Sequence, residues 1–234
     1  MNKQDIYRRL EEKMLDYEDY ANVPLAPTAE ELVAIPKSGD VIGRQIDKMM
    51  YPYTGKTVFV RWSVLQKLRE AAKLLGDYSE NCRLEVVYGY RAPEVQRRLF
   101  EEHKERLREE VEESVLDTAT HRVIALPEVA GHPTGGAVDI QILSGPQALD
   151  MGTPIWDFVS DSFTFSPFIG KEAWRNRQLL RRIMTAVGFA PFDGEWWHFS
   201  YGDKEWARYY AERAAIYEQV TFTSTMNASQ EPRQ

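Results

Sequence analysis

The chain of 234 residues holds four histidines, His103, His121, His132 and His198, and two of them stand in surroundings suited to metal chemistry. His132 lies in Gly-His-Pro-Thr-Gly-Gly-Ala-Val-Asp, where a Pro and two Gly make a turn before Asp139. A turn feeding a strand can bring residues at this spacing back to a common point. His198 sits in Gly194-Glu195-Trp196-Trp197-His198-Phe199, a Glu and a His among aromatics, where polar groups are costly to bury without partners. Two imidazoles and one carboxylate are ligands that Zn²⁺ favours, and they leave its fourth tetrahedral position to water. One carboxylate against the dication leaves about +1 to acidify that water. Glu195, close to a ligand but not needed as one, is the natural proton acceptor. On an ideal strand residues i and i+3 face opposite ways, so Glu195 and His198 act together only across a bulge or a strand-end bend. The plainer alternatives are a loop His with an unrelated strand Asp, and a structural aromatic strand whose polar residues face solvent. His103 in a charged run and His121 in Thr-Ala-Thr-His-Arg carry no comparable signal.

The elements that position these residues are read from periodicity. Strands are expected near 83–89, 137–143 and 194–201. In the second, Ala137, Asp139 and Gln141 share one face and Val138, Ile140 and Ile142 the other, so Asp139 points toward a cleft or solvent. Helices are expected over 3–20, over 63–76 with Gly76 as its stop, over 93–114 behind Pro93, over 171–187 ended by Gly188, and over 203–218. The run EEHKERLREEVEE reads as a solvated face laced with i,i+4 pairs. A proline-bearing arm over 21–40 includes a turn of helix at Thr28–Leu32, 117–136 reads as loop, and the long loop 144–170 is of a kind that is usually functional.

Composition narrows the class. With 29 Lys+Arg against 36 Asp+Glu the formal charge is −7, and 43% hydrophobic with 28% charged residues excludes a disordered, collagen-like or coiled-coil chain. A single Cys, Cys82, forms no internal disulfide and excludes an all-cysteine zinc site. A pI near 5.3 and no sustained basic run argue against nucleic acid. No stretch approaches the ~18 apolar residues of a membrane span, and the charged N-terminus lacks a secretory core, so the expected location is the cytoplasm. Residues 1–220 are expected to form one domain, with 1–40 as N-terminal helix and arm, before a disordered tail over 221–234. Oligomeric state is left open.

Several segments match one family in order. His132, Gly135, Ala137 and Asp139 fit the motif Ser-x-His-x-x-Gly-x-Ala-x-Asp, with Ala130 where the Ser is expected. Glu195 to His198 is an intact Glu-Trp-Trp-His. Gly89-Tyr90-Arg91-Ala92-Pro93 is similar to a Gly-Tyr-Arg-Pro segment with one residue inserted. Asp150-Met151-Gly152-Thr153-Pro154 leading to Asp157, and Asn176-Arg177 through Gly188-Phe189, are similar as well. From about residue 50 to 205 the sequence thus resembles the zinc D-alanyl-D-alanine dipeptidases of the VanX type, within the D-Ala-D-Ala metallopeptidase group.

The resemblance implies an α+β fold, Hedgehog/DD-peptidase-like, with a small mainly antiparallel sheet carrying the zinc site and helices packed on one side. It implies that His132, Asp139 and His198 bind one Zn²⁺, that Glu195 is the catalytic base, and that Arg91 stabilises the transition state. Asp157 resembles the acidic residue near the substrate's amino terminus. The implied activity is zinc-dependent hydrolysis of D-Ala-D-Ala or a similar small dipeptide, and Ala130 bears on substrate preference. Two other readings stand beside it: a non-catalytic zinc-bound binding module, against which Glu195 and Arg91 speak, and a cell-wall DD-carboxypeptidase or endopeptidase, which the missing export signal disfavours.

Overall fold

Alternation of apolar and polar residues decides which face of the central strand is core. The computed structural model describes residues 2–15 and 17–223. Its strands are β1 (Leu32–Ala34), β2 (Val41–Gly43), β3 (Phe59–Arg61), β4 (Cys82–Tyr88), β5 (Ala137–Ser144), β6 (Gln147–Ala148), β7 (Ala190–Pro191) and β8 (His198–Ser200). The helices are α1 (Lys3–Glu11), α2 (Tyr17–Tyr20), α3 (Tyr51–Thr54), α4 (Trp62–Tyr78), α5 (Pro93–Leu107), α6 (Leu116–His121), α7 (Lys171–Ala186) and α8 (Lys204–Tyr209). The main sheet has the order β2-β4-β5-β8-β7, with β6 attached to β5. Only the β2–β4 pairing is parallel; every other pairing in the sheet is antiparallel. β1 and β3 form a separate antiparallel pair.

Val138, Ile140 and Ile142 of β5, with Leu84 and Val86 of β4, face the main core. There they meet Val64, Leu68 and Leu75 of α4 and Leu180, Ile183 and Met184 of α7. Each such side chain contributes about 1.5–3 kcal/mol by leaving water. Ile140→Ala would lose that and open a cavity, typically about 2–5 kcal/mol in all. The opposite face of the same strand carries Asp139. The chain is thus α+β, and the three expected strands are neighbours in one sheet.

Boundaries differ from the expectation for local reasons. The strand expected over 194–201 is only His198–Ser200, because the chain turns before it: Glu195 N–H donates to Phe192 O and His198 N–H to Glu195 O. Helix α4 runs through Gly76 to Tyr78, and α5 stops at Leu107. The expected first helix divides into α1 and α2, Thr28–Leu32 is not helical, and the expected loop 117–136 overlaps α6. α8 ends at Tyr209, and Ala211 at φ 54° then turns the chain back to pair with the arm, with Ala26 N–H donating to Ala215 O. From there Val220 N–H donates to Pro133 O, and Phe222 packs on Tyr90 and Phe59. The tail expected to be disordered lies, beyond Thr223, outside the described residues. Among the described residues no helix is long and apolar enough to cross a membrane.

Candidate metal centre

Sheet register brings the candidate ligands together. Tyr88 of β4 pairs with Asp139 of β5, and Asp139 pairs with His198 of β8. Directly opposed residues project from the same face, so Asp139 lies between the other two. His132 arrives from outside the sheet, on a single 3₁₀ turn, His132–Thr134. Gly135 closes that turn at φ 75°, a left-handed conformation that favours glycine, and a Cβ there would strike the Leu32 side chain. The segment after β4 holds the turn in place: Arg91 N–H donates to His132 O at 3.1 Å, and His132 Nδ1 lies 2.8 Å from Gly89 O.

That last contact assigns the tautomer. A carbonyl only accepts, so Nδ1 carries the proton and Nε2 presents a lone pair. His132 Nε2 is 3.4 Å from Asp139 Oδ1, and His198 Nδ1 is 3.1 Å from the same oxygen. One donor atom from each of the three residues lies within 4.8 Å of the others. Burial lowers the affinity of His132 for a second proton, Asp139 opposing. Burial also works against the Asp139 carboxylate, but the two imidazoles hold it ionised, well below the usual range. Against the cost of burial, Asp139 and Glu205 keep His198 protonated well above its ordinary value. Two nitrogens and one carboxylate oxygen around one point, with His132 oriented by a backbone carbonyl, fit Zn²⁺ and place the expected outer hydrogen bond on the ligand.

The other expected site residues have separate supports. Glu195 lies in the turn just before β8, at the strand-end bend that joint action with His198 requires. Burial pushes its carboxyl up to about 8; Asp139 and Glu205 add to this, while His198 and Arg91 oppose it. Arg91 donates to Gln96 Oε1 at 2.7 Å and lies 4.6 Å over the Tyr88 ring. Its Nε–H is buried with no hydrogen-bond partner among the described residues. Asp157 is on the loop after β6, its carbonyl accepting from Ser162 Oγ at 2.5 Å, and its carboxylate makes no ion pair among the described residues. Ala130 is buried two residues before His132. His121 is outside the cluster: its Nε2 meets Tyr20 Oη at 2.5 Å and its Nδ1 accepts from Leu126 N–H, tying α2 to α6. His103 stays on α5.

Contacts that the sequence did not announce surround the centre. Glu205 of α8 sets Oε2 3.7 Å from His198 Nε2. Trp156 donates its indole N–H to Asp139 Oδ2 at 2.8 Å. Arg177, fully buried, donates to the carbonyls of Met151, Asp161 and Phe163, each at 2.7 Å, and so ties down the loop carrying Trp156 and Asp157. For Arg177 the only sequence signal was its place in the Asn176-Arg177 match.

The Peptidase_M15 family model, described as D-ala-D-ala dipeptidase, matches residues 45–216. A D-alanyl-D-alanine dipeptidase of Synechocystis sp. is 29% identical over 198 residues, which cover 73% of this chain and 80% of that protein. A D-alanyl-D-alanine dipeptidase of Escherichia coli K12 is 37% identical over 71 residues, 30% of this chain and 37% of that protein. A crystal structure of a vancomycin-resistance D,D-pentapeptidase VanY variant in complex with Zn(II) aligns over 78% of this chain and 90% of that one, with 19% identity and a TM-score of 0.41.

Proposed function

The chain belongs to the D-ala-D-ala dipeptidase family and is a metallopeptidase, and on that premise we propose that it hydrolyses D-Ala-D-Ala, or a small dipeptide like it, to free amino acids. His132, Asp139 and His198 would hold one Zn²⁺ through Nε2, Oδ1 and Nδ1, the three atoms that face one another. Bound there, zinc supplies a Lewis acid and a water of lowered pKa. Glu195 accepts the proton of the attacking water at its carboxylate and returns it to the leaving amine. A cation beside it lowers the carboxyl from about 8 toward the ionised form that a base requires. Arg91 offers its free Nε–H to the oxyanion that develops on the peptide carbonyl, and Gln96 and the Tyr88 ring fix the guanidinium beforehand. Asp157 receives the substrate's ammonium. Tyr88 and Phe192 edge-pack on His132 and His198, which keeps water off the ligand rings. The setting is the cytoplasm, to which one free cysteine and no disulfide are suited.

The observation that carries this reading is Asp139 Oδ1 shared between two imidazole nitrogens at 3.1 and 3.4 Å. The relatives named D-alanyl-D-alanine dipeptidase support the choice of substrate. The experiment is a product assay on L,L, L,D, D,L and D,D dipeptides, with N-acetylated and tripeptide controls. Cleavage of D-Ala-D-Ala with the acetylated form spared is the expected result. Preference for blocked or longer peptides would overturn it in favour of a carboxypeptidase.

A further inference from the structure

Trp156 is one of two non-glycine residues with positive φ among the described residues, at 65°. A bulky side chain is disfavoured there, and such a conformation persists only where its surroundings over-determine it. The loop around it meets that condition. Arg177 binds the carbonyls of Met151, Asp161 and Phe163 and also donates to Thr153 Oγ1 at 3.1 Å. The same Thr153 oxygen accepts the Trp196 indole N–H at 3.0 Å, from the segment that leads into His198. Both ends of the Trp156 stretch are therefore anchored, and the backbone between them is held in an unfavourable conformation.

The strained backbone places one hydrogen bond. The Trp156 indole N–H reaches Asp139 Oδ2 at 2.8 Å, and the ring stands edge-on to Tyr88 with centroids 5.5 Å apart. Asp139 has two oxygens with different duties. Oδ1 lies between His132 and His198, whereas Oδ2 faces the indole. A carboxylate with one oxygen engaged by a fixed donor is held against rotation, with that oxygen turned toward the donor and the other toward the imidazoles. We infer that Trp156 is a positioning residue of the metal centre: its indole N–H holds Asp139 Oδ2, so that Asp139 ligates through Oδ1 alone and the zinc affinity depends on the loop that carries Asp157. This rests on the reading of His132, Asp139 and His198 as the metal ligands.

The test compares Trp156→Phe with Asp139→Ala, both prepared free of metal. Phe keeps an aromatic ring beside Tyr88 and removes the donor together with part of the ring's volume, which the metal-free melting temperature reads. Zinc affinity is read by competition with a chromophoric chelator, ligand geometry by the visible spectrum of the Co²⁺ form, and folding by the melting temperature of the metal-free protein. Loss of a hydrogen bond behind a ligand typically weakens metal binding about 10–100-fold. Trp156→Phe should show that loss with a changed Co²⁺ spectrum and a metal-free melting temperature close to the parent's. Asp139→Ala should lose more. If Asp139→Ala weakens zinc binding while Trp156→Phe matches the parent in affinity and spectrum, the positioning role is wrong and the ligand assignment stands. If Asp139→Ala binds zinc like the parent, the ligand assignment itself fails and takes this inference with it. Should Trp156→Phe not fold, exchange of the six indole protons in the parent and in Asp139→Ala decides the matter. One of them should exchange slowly in the metal-free parent and fast in Asp139→Ala, and six protons indifferent to loss of the Asp139 carboxylate would overturn the inference.

Discussion

Glu195→Gln should separate stability from catalysis. Burial pushes the Glu195 carboxyl to about 8 from its ordinary 4.5 in the metal-free protein. A folded value raised above the unfolded one contributes stability below the unfolded value, and that contribution is lost as pH rises through the folded value. The loss therefore runs from 4.5 to about 8. At 1.36 kcal/mol per pH unit it amounts to at most about 5 kcal/mol, of which about 3 kcal/mol is gone by pH 7. This is an upper bound, because Glu195 keeps partial contact with solvent. Gln matches the shape of the protonated carboxyl and does not titrate. Relative to the parent, the metal-free variant should then gain about 2–4 kcal/mol of stability between pH 5 and pH 9, since Asp139, His132 and His198 are common to both proteins. For a chain of this length that is roughly 5–15 °C in melting temperature. The assay is a pair of thermal or urea melts, parent and variant, after chelation at each pH. A gap that stays constant across pH would refute the argument that burial strains this carboxylate. With zinc restored, the variant should hold the metal and lose turnover, because it has no base.

His198→Ala should weaken zinc binding by at least about 100-fold, beyond the range of an outer-shell change; metal analysis after dialysis checks this, and full retention would mean the ligand set is wrong. Arg91→Lys should lower kcat about 10²–10³-fold with zinc retained, because a point charge does not reproduce the guanidinium fork or its Nε–H. Asp157→Asn should raise KM for free dipeptides by about 10–100-fold with little change in kcat, as expected for one hydrogen bond to a charged group. Equal loss of kcat and kcat/KM in that variant would move Asp157 from amine recognition to the transition state.

The parts of the fold legible in the sequence are those governed by local rules. Alternation along 137–143 alone decided that Val138, Ile140 and Ile142 face the core and Asp139 does not. Element ends were less legible because they balance small terms. Gly76 costs only about 1 kcal/mol in a helix interior, too little to stop a helix already held by its buried face, and α4 runs on to Tyr78. Beyond Leu107 the run Glu109, Glu110, Glu112 and Glu113 would place negative charge at the negative end of the α5 dipole, and the helix stops short of 114. The last helix lost its expected length to a tertiary demand, since residues after Tyr210 turn back to pair with the arm at Pro24 and Ala26.

For the candidate site, the division between legible and hidden follows chemistry against support. His132, Asp139, Glu195 and His198 stand out as candidates because a metal ligand or a base must be one of a few residue types, and their spacing around turns and strands is a local property. The groups behind them are of no special type, and their role exists only once distant segments meet. Trp156 reads in the sequence as one more aromatic beside Asp157; its bond to Asp139 spans 17 residues and depends on the positive φ that the loop imposes. Glu205 reads as a first-turn acid on a short helix, yet it faces His198 Nε2. Arg177 reads as one of several cations on an amphipathic helix, yet its guanidinium fixes the loop that brings Trp156 to Asp139. The same physics that makes the ligands recognisable makes their supports interchangeable between proteins: a zinc ligand has few substitutes, whereas a carboxylate oxygen accepts a hydrogen bond from any donor that the fold can deliver. On the proposed ligand set the donor in this chain is an indole on a strained loop, so substitutions that release the loop backbone, such as Thr153→Val, should weaken zinc binding while the metal-free melting temperature changes little.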